Sequence, residues 1–137
     1  MFYVVFLIYL QNLQRVVIMK NTVSLKKNYQ FKHVYNRGKS IANRNLVMYS
    51  IKNGLGLNQL GISCSKKVGK SVVRSRVTRL IRESYRLNED KILKGYDIVF
   101  IARMSCNGAS YEEISNSLKH LIKKHNMLVE KVKECND

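Results

Sequence analysis

Leu60-Gly-Ile-Ser-Cys-Ser-Lys-Lys-Val-Gly-Lys-Ser-Val-Val-Arg-Ser-Arg-Val-Thr-Arg-Leu-Ile-Arg-Glu-Ser-Tyr-Arg86 runs from a short apolar strand pattern, Leu60 to Ser65, through a basic lead-in loop into one amphipathic helix. At about 100° per residue, Arg74, Thr78, Arg79, Arg82 and Arg86 share one arc, while Val73, Val77, Leu80, Ile81 and Leu87 fill the opposite one. One arc suits a core and the other suits phosphate. Lys66 to Arg86 holds eight of the 25 Lys and Arg residues.

A basic helix face is usually solvated surface, balanced by acids three or four residues away. Here that balance is missing. Residues 1–82 hold 16 Lys and Arg and no acid, whereas residues 83–137 hold nine of each, so the whole formal charge of +16 belongs to the first part. Repulsion of this kind is relieved by a polyanion such as nucleic acid.

Working outward, Tyr96-Asp-Ile-Val-Phe-Ile-Ala102 is the strongest strand in the chain, apolar enough to be central. Ser110, with Glu113 three residues on, forms a capping box for a last helix that buries Ile114, Leu118, Leu121 and Ile122. Upstream, Asn28 caps a helix running to about Arg37, with Gly38 as the C′ residue. Ser40 to Ala42 and Asn45 to Ile51 read as strands, and Asn53-Gly54 as a hairpin loop returning through Leu60 to Ser65. The basic helix fades near Leu87, with a further turn at Glu89 to Leu93. The predicted order is α, β, β, β, α, β, α in a single α/β domain.

A chain of 137 residues with 45% hydrophobic side chains and no proline fits one globular domain. Cys64, Cys106 and Cys135, with His33, His120 and His125, show neither disulfide-framework nor metal-ligand spacing; a reducing cytosol is the expected setting, with Cys64 a small buried hydrophobe. The apolar run Met1 to Leu10 is too short to span a bilayer, which needs about 20 residues, and lacks the flanks of a signal peptide. Residues 1–18 are therefore expected to be an upstream extension, with Met19 the start of a domain covering residues 19–137.

Gly69-Lys70-Ser71 looks like the end of a phosphate-binding P-loop, but the glycine required five residues earlier is Cys64 and no suitably placed acid follows for Mg²⁺. The helix start at Ser71 to Val73 still offers free N–H groups to a phosphate. No nucleophile and base pair emerges, so the expectation is binding, with no catalytic residue and no metal ligand in the protein. Phe31, Tyr35 and Tyr49 leave two readings open: core packing, or a groove where unpaired bases stack while Lys32, Arg37, Lys39, Arg44 and Lys52 attract the backbone.

Gly-Lys-Ser-Ile-Ala-Asn-Arg at 38–44, Gly-Ile-Ser-Cys-Ser-Lys-Lys-Val-Gly at 61–69, Val-Val-Arg-Ser-Arg-Val-Thr-Arg-Leu-Ile-Arg-Glu at 72–83 and Gly-Tyr-Asp-Ile-Val-Phe-Ile-Ala-Arg at 95–103 resemble the protein subunit of bacterial ribonuclease P. The resemblance spans about Lys26 to Leu128. It departs at Ser75, where that family usually has Asn, and at Thr78, where Lys is usual.

The resemblance implies a ribonucleoprotein endonuclease, located in the cytoplasm, that removes the 5′ leader of precursor tRNA. Its RNA subunit would be the catalyst, and Mg²⁺ would be held mainly by RNA phosphates. Lys66, Lys67, Lys70, Arg74, Arg76, Arg79 and Arg82 would dock on the catalytic RNA; Phe31, Tyr35, Tyr49 and Arg44 would line the leader cleft. Catalytic RNA and precursor tRNA would be the partners, with no membrane and no obligate protein partner. The implied fold is an α-β sandwich with a four-stranded mixed sheet and a left-handed β-α-β crossover, although general rules predict a right-handed one. Without the resemblance, a ribosomal-type RNA-binding protein or a DNA-binding module with its helix in the major groove fits the composition equally well.

Overall fold

Tyr96–Ala102, the continuous apolar run, is the middle strand of a five-stranded sheet whose order across is Thr22–Ser24, Asn58–Ser63, Tyr96–Ala102, Leu46–Lys52, Lys39–Ala42. The computed structural model describes residues 19–129; the expected extension at 1–18 and Cys135 lie outside them. Among the described residues the strands are β1 (Thr22–Ser24), β2 (Lys39–Ala42), β3 (Leu46–Lys52), β4 (Asn58–Ser63) and β5 (Tyr96–Ala102). The helices are α1 (Asn28–Arg37), α2 (Ser71–Asn88) and α3 (Tyr111–Lys124), with single 3₁₀ turns at Glu89–Lys91 and Met104–Cys106.

Two expectations about the sheet need correction. It has five strands, not four: β1, parallel to β4, precedes the first helix. Three residues with one apolar side chain give too little alternation to register as a strand. The second correction concerns Asn53-Gly54, which does not make a hairpin. β5 lies between β3 and β4, antiparallel to the first and parallel to the second. The turn reverses the chain but wraps the start of β5: Asn53 N donates to Gly95 O at 2.9 Å and Asn53 Nδ2 to Asp97 Oδ1 at 3.0 Å.

α2 and α3 cover one face of the sheet, where Leu46, Met48, Leu60, Ile98 and Phe100 meet Val77, Ile81, Ile114, Leu118, Leu121 and Ile122 in the main core. Ser110 Oγ accepts from Glu113 N at 3.1 Å, which is the N-cap bond of the predicted capping box but not its return bond from Ser110 N to the Glu113 carboxylate. Cys64 packs only half-buried against this core. The buried stripe of α2 is rotated from the expected one: Leu87 is 57% exposed, while Ser84, Tyr85 and Asn88 are buried. Tyr85 explains the rotation, because its hydroxyl lies 3.0 Å from Thr22 Oγ1 and accepts from Asn58 Nδ2 at 3.2 Å. A buried phenol needs such partners, and they are on β1 and β4.

α1 alone covers the other face. It ends at Arg37 as expected but starts one residue early, with Asn28 the first helical residue and not the cap, and its ends work differently. Lys27 takes the N-cap position, and the Gln30 carboxamide, reaching back, accepts from Lys26 N and Lys27 N, both at 3.0 Å. Gly38 is extended (φ −78°), not left-handed. It is required by crowding instead, since a Cβ there would sit 2.5 Å from Val34 O.

His125, just past α3, is buried against β3. Its Nε2 lies 3.0 Å from Met48 O, which can only accept, so Nε2 carries the proton and Nδ1 accepts from Ser50 Oγ at 2.7 Å. Burial pushes its pKa below the ordinary 6.5, with the nearby Lys39 charge acting in the same direction. The unfolded imidazole therefore takes up a proton near pH 6.5 while the native one resists, and stability falls as pH drops below that value. Within this window the loss is up to about 1.4 kcal/mol per pH unit. Urea midpoints should fall from pH 7.5 to 5.5, and H125Q should flatten that part of the profile; an unchanged slope would assign it to other groups.

Candidate nucleic-acid interface

The loop before α2 is anchored by Val68, which is buried and whose N–H donates to Ser65 O at 3.1 Å, leaving Lys66, Lys67 and Lys70 exposed. A Cβ at Gly69 would meet Val73 Cγ1 at 2.8 Å, so this position needs glycine for the loop to lie against the helix. Lys70 is the N-cap residue, without a side-chain cap and with no acid in the first turn. The free N–H groups there add the positive end of the helix dipole to three lysines.

Along α2, Arg76, Arg79 and Arg82 are exposed and Arg74 is half-buried, its Nε enclosed with no partner among the described residues. Arg76 also donates to Ala109 O at 3.1 Å, which ties the helix to the loop before α3. Arg86 leaves the array. Glu83 accepts from its Nε at 3.1 Å and from its Nη2, and the Arg86 guanidinium holds the Glu83 carboxyl below its usual range. The uncompensated array thus runs from Lys66 to Arg82.

The aromatic groove follows from register. Tyr49 and Gly61 both pair with Val99, so β3, β5 and β4 present Tyr49, Val99 and Gly61 in one row toward α1. Tyr35, Val34 and Phe31 answer that row. Tyr35 meets Tyr49 edge-on with ring centroids 5.1 Å apart, Val34 packs buried with Val99, and Phe31 lies on Gly61 and 6.4 Å from Tyr35. Burial pushes the Tyr35 hydroxyl pKa up, against an opposing pull from Ser63. The three rings are half-buried: they pack beside buried Val34 and line a groove with exposed Lys32.

Phe31 also lines a neighbouring cavity of about 590 Å³ with Arg79 and Arg82. The cationic helix and the aromatic groove, expected as separate surfaces, therefore adjoin across Phe31 and Ile62. Arg44 stands apart from both. It is exposed on the β2–β3 turn, at the end of the sheet where Val47 pairs with Ile101. Sequence reasoning missed Arg103, exposed beside that turn with Nη1 donating to Asn43 O at 2.8 Å, and Tyr29, 66% exposed with Lys27 Nζ 5.9 Å from its ring centre. Adjacent cation and aromatic residues at a helix start were the available signal for Tyr29; Arg103 gave none, because only strand pairing brings it to the turn.

The family model described as Ribonuclease P matches residues 19–126. The chain belongs to the ribonuclease P protein family. A ribonuclease P protein component of Clostridium kluyveri is 60% identical over 102 residues, covering 73% of this chain and 91% of the relative; that of Alkaliphilus oremlandii is 52% identical over 110 residues, covering 80% and 96%. Among solved structures, the RNase P protein of Staphylococcus aureus superposes with TM-score 0.72 at 36% identity, covering 77% of this chain and 97% of that one. The Thermotoga maritima protein gives 0.69 at 30%, covering 79% and 98%. With the family comes its role, the RNA-binding protein subunit of ribonuclease P in tRNA processing, and the ribosomal-type and DNA-binding readings lose their support.

Gly61 offers a direct check on the groove. A Cβ there would lie 2.5 Å from Phe31 Cε1 and 2.7 Å from Cζ, so the ring must move. G61A should destabilise the protein by about 1–3 kcal/mol in thermal unfolding, and most of that penalty should vanish in an F31A background; equal penalties in both backgrounds would mean the ring is not what the methyl meets.

Proposed function

We propose that the α2 array docks on a catalytic RNA subunit while the groove between α1 and the sheet holds the single-stranded 5′ leader of precursor tRNA. The observation carrying this reading is the adjacency of an uncompensated cationic helix and a row of half-buried rings on a chain of this family. Lys66, Lys67, Lys70, Arg74, Arg76, Arg79 and Arg82 supply phosphate contacts whose strength is salt-dependent. Phe31, Tyr35 and Tyr49 offer faces and edges for base stacking, which tolerates sequence, and Arg44 meets the backbone.

The donor set on this surface does not fit a protein-held Mg²⁺. Among the described residues the carboxylate lining the shared cavity is Glu83, which is committed to Arg86. In this reading the RNA and substrate phosphates hold the metal and the RNA performs hydrolysis. The protein binds and orients.

The test is cleavage of precursor tRNA at low Mg²⁺ with and without the cognate RNA subunit. Cleavage should require the RNA and rise with added protein. R79E/R82E should abolish assembly with that RNA without loss of fold, whereas F31A/Y35A should weaken binding of leader-bearing precursor more than of mature tRNA. Cleavage by protein alone, or equal losses for both tRNAs, would refute the corresponding part.

Ser75 and Thr78 bear on the same array, being exposed and half-buried on α2. Serine has less reach than asparagine, and threonine carries no charge. T78K should tighten binding to the RNA subunit and steepen the salt dependence by about one phosphate contact; an unchanged salt slope would place residue 78 outside the docked surface.

A further inference from the structure

The turn bearing Arg44 is held by polar contacts from parts of the chain more than 55 residues away. Asn43 Oδ1 accepts from Asn45 N at 3.2 Å and Leu46 N at 3.0 Å, closing the turn on itself, while Asn43 Nδ2 donates to Ser117 O at 2.9 Å. Asn45 is 8% exposed. Its Nδ2 donates to Ser117 Oγ at 2.8 Å, and its carbonyl accepts from Arg103 N at 2.9 Å and Cys106 Sγ at 3.0 Å. The Ser105 hydroxyl lies 2.7 Å from Arg44 O and 2.8 Å from Asn45 Oδ1, so its single proton serves one or the other. Arg103 Nη1 closes the set on Asn43 O.

A two-stranded turn of this kind needs only its own backbone bonds to form. The additional contacts come from the middle of α3 and from the 3₁₀ turn after β5, and they fix the backbone on both sides of Arg44 while leaving its side chain exposed. A guanidinium on a fixed backbone loses less freedom on meeting a phosphate than one on a mobile loop.

We propose that Asn45 and Ser117, with Ser105, are positioning residues that pre-organise Arg44 for the leader backbone, so that α3, on the opposite face of the sheet, helps set leader affinity. The proposal rests on the reading of Arg44 as a leader contact. It adds that the contact's strength is determined by side chains that do not touch the leader.

The experiment measures, in holoenzyme reconstituted with the cognate RNA subunit, the Kd of precursor tRNA with leader and of mature tRNA for R44A, N45A, S117A and the double variant R44A/N45A. R44A should lose about 3–10-fold in leader-dependent affinity, as expected for removing a phosphate contact. N45A and S117A should lose a similar factor, S117T should regain it, and R44A/N45A should be no worse than R44A within about two-fold, since coupled residues are non-additive. ¹⁵N relaxation should also show faster motion of the Arg44 amide in N45A and S117A. S117A removes one hydroxyl from a helix surface and keeps the test valid if N45A unfolds. Loss in R44A with none in S117A and N45A, or multiplicative losses in the double variant, would overturn the positioning role alone. No loss in R44A would overturn the leader contact itself and the proposal with it.

Discussion

The placement of β5 between β3 and β4 is the constraint on which the rest depends. Its pairing with both neighbours puts Tyr49 and Gly61 on either side of Val99, at one level of the sheet and on one face. α1 has to fit that row, and it does so with a large ring where the sheet has no side chain, a valine over the valine, and a ring against a ring. The groove is thus a product of strand register. A slip of one residue would turn Tyr49 into the main core.

The two helical layers divide the labour by burial. α2 and α3 close a dry core and leave the solvent side of α2 free to carry charge, while α1 covers its face incompletely. Stacking surfaces need apolar rings that stay partly wet. Charge arrays need a rigid backbone with no acids nearby, and the ion pair of Glu83 with Arg86 marks where the array stops.

Much of this was legible in the chain itself. α1 is legible to within one residue, because Phe31, Val34 and Tyr35 repeat at helical spacing and Gly38 follows; the cap at Ser110 and the central character of Tyr96–Ala102 are equally plain. What local pattern could not supply was partnership. Asn53-Gly54 has the chemistry of a hairpin, yet the strand that pairs on both sides arrives some forty residues later. Leu87 was assigned inward by period alone, whereas the polar needs of Tyr85, met by Thr22 and Asn58, decided the rotation. The cationic array is readable from charge segregation, but its adjacency to Phe31 and the bracing of Arg44 require the third dimension.

The order of strands also shapes how the chain reaches this state. During synthesis β3 and β4 appear well before β5, so for more than thirty residues the sheet has an open slot bounded by two unpaired edges, and the main core cannot close. Contacts of long sequence separation dominate, which makes folding slow and strongly cooperative. By the end of that interval the nascent segment carries all the unbalanced cations. Like charges repel, and that repulsion opposes the approach of open strand edges on neighbouring unfinished chains.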